Sequence, residues 1–166
     1  PIYSEIIGNR LFVTNFIQNR ILIYNSWPAN SSTQPDLVLG QTDFISEYAN
    51  RGLPSPTAST LSSPGATLSV AGKFFIADSS NSRILGYNSV PTTSTASADF
   101  VLGQPNFNVN TLNNGGRSAA TLYSPRQMSS DGQKFAVADY SNHRILIWNS
   151  IPNSNAQPAD VVVGQP

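Results

Sequence analysis

The chain contains no cysteine and a single histidine, His143, among its 166 residues. Those two shortages exclude disulfide frameworks, zinc fingers, thiol nucleophiles and multi-histidine metal centres. Charge is scarce as well: nine basic and nine acidic side chains cancel, and charged residues form 11% of the chain, against roughly 25% in ordinary soluble domains. A phosphate-neutralising surface needs clustered Lys and Arg, so this balance argues against nucleic-acid partners. No apolar run approaches the roughly 18 residues of a membrane helix, so no membrane span is expected. Ser, Thr and Asn fill 51 positions instead. Hydrophobic residues at 39%, with 10% aromatics, are enough to build a core. Low charge over a Ser/Thr/Asn-rich surface suits a secreted or cell-surface protein of bacterial type. Pro1 in first place leads us to expect a chain that is processed, truncated or the ordered part of something longer.

What is present is a repeat. Arg20-Ile21-Leu22-Ile23-Tyr24-Asn25-Ser26 recurs as Arg83-Ile84-Leu85-Gly86-Tyr87-Asn88-Ser89 and again as Arg144-Ile145-Leu146-Ile147-Trp148-Asn149-Ser150. Pro28, Pro91 and Pro152 keep the same offsets, as do Asp36, Asp99 and Asp160, and the Gly-Gln pairs beginning at Gly40, Gly103 and Gly164. Such a period is the signature of a stacked or radial repeat architecture. The units are 1–63, 64–124 and 125–166, the first two each ending in a long linker.

Each unit contains four strand-like runs, in the second copy Ala66–Val70, Lys73–Asp78, Arg83–Asn88 and Asp99–Gln104. Consecutive apolar residues such as Phe74-Phe75-Ile76, bounded by Gly, Pro, Asn and Ser, suit strands buried on both faces. No segment sustains helical periodicity for ten residues, and short connections imply antiparallel pairing. The expected fold is all-β, a β-propeller built of four-stranded antiparallel blades. Three blades fall short of the about four to eight of a closed ring. Self-association or further blades are therefore expected to complete a six-bladed whole. Linkers 42–63 and 105–124 are far longer than the usual connection of about 4–6 residues, and loops of that length are usually functional or disordered.

Ala77-Asp78-Ser79-Ser80-Asn81-Ser82-Arg83-Ile84 resembles the NHL repeat, and Ala138-Asp139-Tyr140-Ser141-Asn142-His143-Arg144-Ile145 resembles it more closely. The first copy departs from it, with Thr14-Asn15 in place of Ala-Asp but Asn19-Arg20-Ile21 kept. The resemblance implies a propeller that binds other molecules. It covers nearly the whole chain outside the linkers.

Asp78 with Arg83 and Asp139 with Arg144 read as charge-assisted pins across tight turns. Asn15 offers Arg20 only a neutral acceptor, which predicts a weaker pin. Asp36, Asp99 and Asp160 read as turn residues that open the fourth strand. The second-to-third-strand turns and the linkers are expected to share one rim. Differences between copies point to Phe16, Tyr140 and His143, and the linkers add Arg51 and Arg117, as ligand-binding candidates there, for a protein or glycan ligand. Trp27 and Trp148 read as packing or interface residues. No cofactor, metal site or catalytic constellation is expected, because one histidine cannot supply a lyase of the kind this fold can host. Ser141, His143 and Asp139 lie too close together in one turn for a working triad. The expected function is a non-enzymatic binding or scaffolding module, the rival being a building block of an extracellular assembly.

Overall fold

A computed structural model describes residues 1–165. It is all-β, three four-stranded antiparallel sheets in which each strand pairs with its sequence neighbours. Sheet 1 comprises β1 (Tyr3–Ile7), β2 (Arg10–Asn15), β3 (Arg20–Tyr24) and β4 (Leu37–Leu39). Sheet 2 comprises β5 (Pro64–Val70), β6 (Lys73–Asp78), β7 (Arg83–Tyr87) and β8 (Phe100–Leu102). Sheet 3 comprises β9 (Pro125–Ser130), β10 (Phe135–Asp139), β11 (Arg144–Trp148) and β12 (Val161–Gly164).

The turns follow from their residues. Ala71 and Gly72 both take positive φ in the two-residue β5–β6 hairpin, the backbone that matches strand twist. In the β9–β10 hairpin the Asp131 carboxylate accepts the Gln133 and Lys134 amides. Each second-to-third-strand turn closes on a left-handed residue: Asn19, Ser82 and His143 have φ of 53, 52 and 54°. The third-to-fourth loops are latched at their base. The Asn25, Asn88 and Asn149 amides donate to Asp36, Asp99 and Asp160 at 2.7–2.8 Å. Those latches shorten the strands around them. β8 starts after Asp99, and it stops at Leu102 because Gly103 turns the chain away with φ 88°. The sequence pattern, by contrast, extends it over Asp99–Gln104.

Sheets stack face to face through two apolar layers. Phe12, Ile21, Ile23 and Leu39 of sheet 1 meet Phe74, Ile76, Leu85, Tyr87 and Val101 of sheet 2. From the opposite side of sheet 2, Phe75, Ala77, Ile84, Phe100 and Leu102 meet Met128, Phe135, Val137, Leu146 and Trp148 of sheet 3. Phe74-Phe75-Ile76 thus feeds both layers, as a strand covered on both faces must. Aromatic rings run through each layer: Phe12–Phe74 centroids lie 5.1 Å apart and Phe75–Phe135 4.6 Å. The first strands of successive sheets lie against one another, β1 against β5 and β5 against β9.

The linkers are neither disordered nor free. Each carries one short 3-10 turn, Ala49–Gly52 and Leu112–Gly115, and forms a parallel bridge to the strand end it left, Gly40 with Thr60 and Gly103 with Thr121. Leu61 and Leu122 plug the two apolar layers at about 1% exposure. The length that reads as loop in the sequence is ordered because it supplies core side chains and hydrogen-bond partners.

Candidate functional site

The rim is built on the repeated turns. Asp78 and Arg83 form an ion pair at 2.7 Å, both fully buried, and Asp139 and Arg144 repeat it at 2.8 Å. Each carboxylate is fully engaged. Asp78 also accepts from Asn81 and the Ser62 amide, and Asp139 from Asn142 and the Tyr123 amide. Burial pushes the Asp78 carboxyl up from its ordinary value, against the pull of the Arg83 guanidinium and the Asn81 amide. The guanidiniums reach on into the linkers. Arg83 donates to the Thr57 and Thr60 carbonyls upstream and to Phe107 downstream, and Arg144 donates to Ser118 and Thr121.

Sheet 1 replaces this network with amides. Arg20 does not bond to Asn15. Its Nη2 donates to Gln18 Oε1 at 2.7 Å, and Asn15 donates to that same oxygen. Arg20 Nε is left buried with no partner.

Two further sets of residues hold the rim, and sequence reasoning missed both. Asn50 and Asn81 exchange reciprocal amide bonds at 3.0 and 2.8 Å, and Asn113 and Asn142 repeat the exchange at 3.1 and 2.7 Å. Gln41 and Gln104 donate to turn and linker carbonyls, Asn19 and Tyr48 in one case, Ser82 and Thr111 in the other. The repeated Gly-Gln pair was visible in the sequence. Asn50 and Asn113 keep the same offset as Gly40 and Gly103, so that match was visible in the sequence as well.

Phe16 and Tyr140 come together around a residue outside the sequence-based candidates, Arg126. Its guanidinium lies 4.4 Å from the Tyr140 ring centroid and 6.0 Å from that of Phe16. Arg126 Nε has no hydrogen-bond partner. The stack joins the turn of sheet 1 to the turn and first strand of sheet 3, with β5 between them. Gly65 permits the close approach: a Cβ there would lie 2.6 Å from the Arg126 carbonyl oxygen. The signal lay beside the aligned prolines, where Ile2, Gly65 and Arg126 follow Pro1, Pro64 and Pro125 and only the third is charged.

The other candidates sit apart from this stack. Arg51 is half-buried and donates to Gly40, Gln41 and Ser59 oxygens, lining a cleft of about 170 Å³ with Ser94 and Thr95. Beyond Thr42 in that lining, the Ser46 and Ile45 amides hold the exposed Asp43 carboxyl down to about 2. Arg117 is exposed in the second linker. His143 is exposed at the left-handed position of its turn, where Asn and His are favoured over most residues. Trp148 is buried with its indole N–H on the Gln157 carbonyl, whereas Trp27 is exposed.

Asp139 Oδ2 accepts from Arg144 and Asn142 and its Oδ1 from the Tyr123 amide. Glu5 bridges sheets 1 and 2, accepting from the Thr67 hydroxyl and the Ser69 amide. Among the described residues no three His, Asp or Glu side chains gather in a way that could hold a metal ion. No protein-family model matches the chain, and no curated protein matches it.

Proposed function

We propose that the chain is a non-enzymatic binding or scaffolding module of NHL type, three successive blades of a six-bladed β-propeller, with its ligand site on the rim. Three sequence-consecutive antiparallel sheets, stacked face to face with their first strands adjacent, support the propeller reading. The Asp, Asn and Arg trio, bonded alike in sheets 2 and 3, supports the NHL reading.

The observation that carries the binding site is the Phe16–Arg126–Tyr140 stack. A guanidinium laid on aromatic faces keeps its charge and presents its edge, the fork that pairs with a carboxylate. Aromatic and Arg side chains are also the residues that dominate interface energetics. The ligand class is therefore one bearing exposed carboxylates, an acidic peptide or an acidic glycan, held by Arg126 and flanked by the rings.

Calorimetric titration with a glutamate-rich peptide and with a uronic-acid oligosaccharide tests this. One of the two binds saturably, and Arg126→Gln or Tyr140→Ala weakens it at least about tenfold with the fold intact. Saturable binding that ignores both substitutions, or no binding of either probe, overturns the reading.

A further inference from the structure

A cleft of about 170 Å³ opens where sheet 1 meets sheet 2, lined by Gln41, Thr42, Arg51, Ser59, Ser94 and Thr95. Its walls come from the end of sheet 1, the first linker, and the third-to-fourth loop of sheet 2. The linker is anchored there by the Gly40–Thr60 bridge. The loop is anchored by Ser94 Oγ, which accepts the Val38 amide at 3.0 Å. No residue of the Phe16–Arg126–Tyr140 stack belongs to the cleft.

The equivalent place between sheets 2 and 3 is furnished differently. Thr42 becomes Pro105, Arg51 becomes Asn114, Ser59 becomes Ala120 and Thr95 becomes Ala156, while Gln41 and Gln104 match. Ser94 becomes Asn155, which keeps the tie to the strand by accepting the Val101 amide at 2.9 Å. The loop also sits differently. The Ala156 amide donates to the Val101 carbonyl at 2.8 Å, whereas among the described residues the Thr95 amide makes no such bond to Val38. The first loop is thus tied to its strand at one point instead of two. A guanidinium and three hydroxyls stand at the first interface where proline, asparagine and two alanines stand at the second. Both interfaces are formed within the chain, so the contrast is not one between a covered face and a free one.

Arg51 is the charged group of the cleft, and its backbone does not favour it. Its φ of 58° is left-handed, as is that of Asn114 at 44°. Asn adopts that region readily and a long side chain such as Arg rarely does. Backbone outliers of this kind cluster at ligand sites. The guanidinium is aimed by the Gly40, Gln41 and Ser59 carbonyls and the Ser59 hydroxyl, at 3.0–3.4 Å. Those bonds use four of its five N–H groups and leave one on Nη1. Arg83 and Arg144 each face a carboxylate, and among the described residues Arg51 faces none. Asp43, beside Thr42, spends its oxygens on the Ile45 and Ser46 amides and the Ser46 and Thr42 hydroxyls.

We infer that this cleft is a second ligand site, for a sugar acid, and that it takes one uronate unit. The half-buried guanidinium, with an N–H to spare and no counter-charge, receives the carboxylate. The Thr42, Ser59, Ser94 and Thr95 hydroxyls can each donate and accept, so they trade hydrogen bonds with the ring hydroxyls. A bare anion would use Arg51 alone and a neutral sugar the hydroxyls alone, and the cleft brings both together. Its volume, below the roughly 300–1,000 Å³ of sites for drug-sized ligands, suits one ring rather than a chain. The site depends neither on the rim stack nor on the number of blades.

Titration of the isotope-labelled 166-residue chain with sodium glucuronate, followed through amide shifts, is the test. Saturable shifts are expected to gather at Thr42, Ser59, Ser94 and Thr95, together with the Arg51 Nε–H. Glucose lacks the carboxylate and acetate lacks the hydroxyls, and each binds at least about tenfold more weakly. Arg51→Asn, and Ser59→Ala combined with Thr95→Ala, install the residues of the second interface. Each weakens glucuronate about tenfold or more. An unchanged amide spectrum away from the cleft confirms that both variants fold, and either one alone suffices for the test. Shifts confined to Phe16, Arg126 and Tyr140 overturn the proposal. So do acetate or glucose binding as tightly as glucuronate, binding that ignores the substitutions, and the absence of any saturable shift.

Discussion

Gly86 interrupts an otherwise apolar strand, and its neighbour explains it. In sheets 1 and 3 the same cross-strand pair is Ile23 with Leu37 and Ile147 with Val161. In sheet 2 it is Gly86 with Phe100. A Cβ on Gly86 would fall 2.3 Å from the Phe100 ring, so the volume missing at one position is filled by the other. Gly86→Ile is expected to destabilise by about 1–3 kcal/mol through overpacking, and adding Phe100→Leu restores most of the loss. Urea midpoints at unchanged slope measure this. Additive losses in the double variant would show that the two positions are not coupled. The strand pattern was plain from its apolar run, but the exchange of volume was not. It depends on which residue of β8 lies opposite, and turn geometry and strand register decide that.

At the scale of the element, the turn and its linker form one unit. Arg83 connects its own turn to linkers on both sides, and the Asp78 carboxylate is what allows a guanidinium to be buried there. Asp78→Ala strands that charge and is expected to cost about 3–5 kcal/mol. Asn15→Ala removes a neutral, half-buried amide and costs about 1 kcal/mol or less. Denaturation of the two variants side by side tests the contrast, and equal losses would refute it. The Asp–Arg spacing of five residues made the turn legible. The linkers misled because length alone marks a segment as loop. Leu61, Leu122, Asn50 and Asn113 acquire their roles only against the sheet that follows.

Across the whole molecule, sheet 2 is covered on both faces while sheets 1 and 3 are each covered on one. Stability in such an array is close to a sum of nearest-neighbour interfaces. Amide exchange is therefore expected to be slowest in β6 and β7 and fastest in β1 and β12, which lie at opposite ends of the stack. Uniform protection across the three sheets would contradict the nearest-neighbour picture.

Strand content, antiparallel order and the threefold repeat were written in the sequence itself. Alternating or continuous apolar runs, turn residues and fixed offsets act over a few residues and need no distant partner. Phe16 and Tyr140 were legible as departures from the repeat. Arg126 gained its role only when sheets 1 and 3 brought two aromatic turns to either side of it. A repeat aligns residues along the chain, but only stacking decides which aligned residues are covered and which still face water.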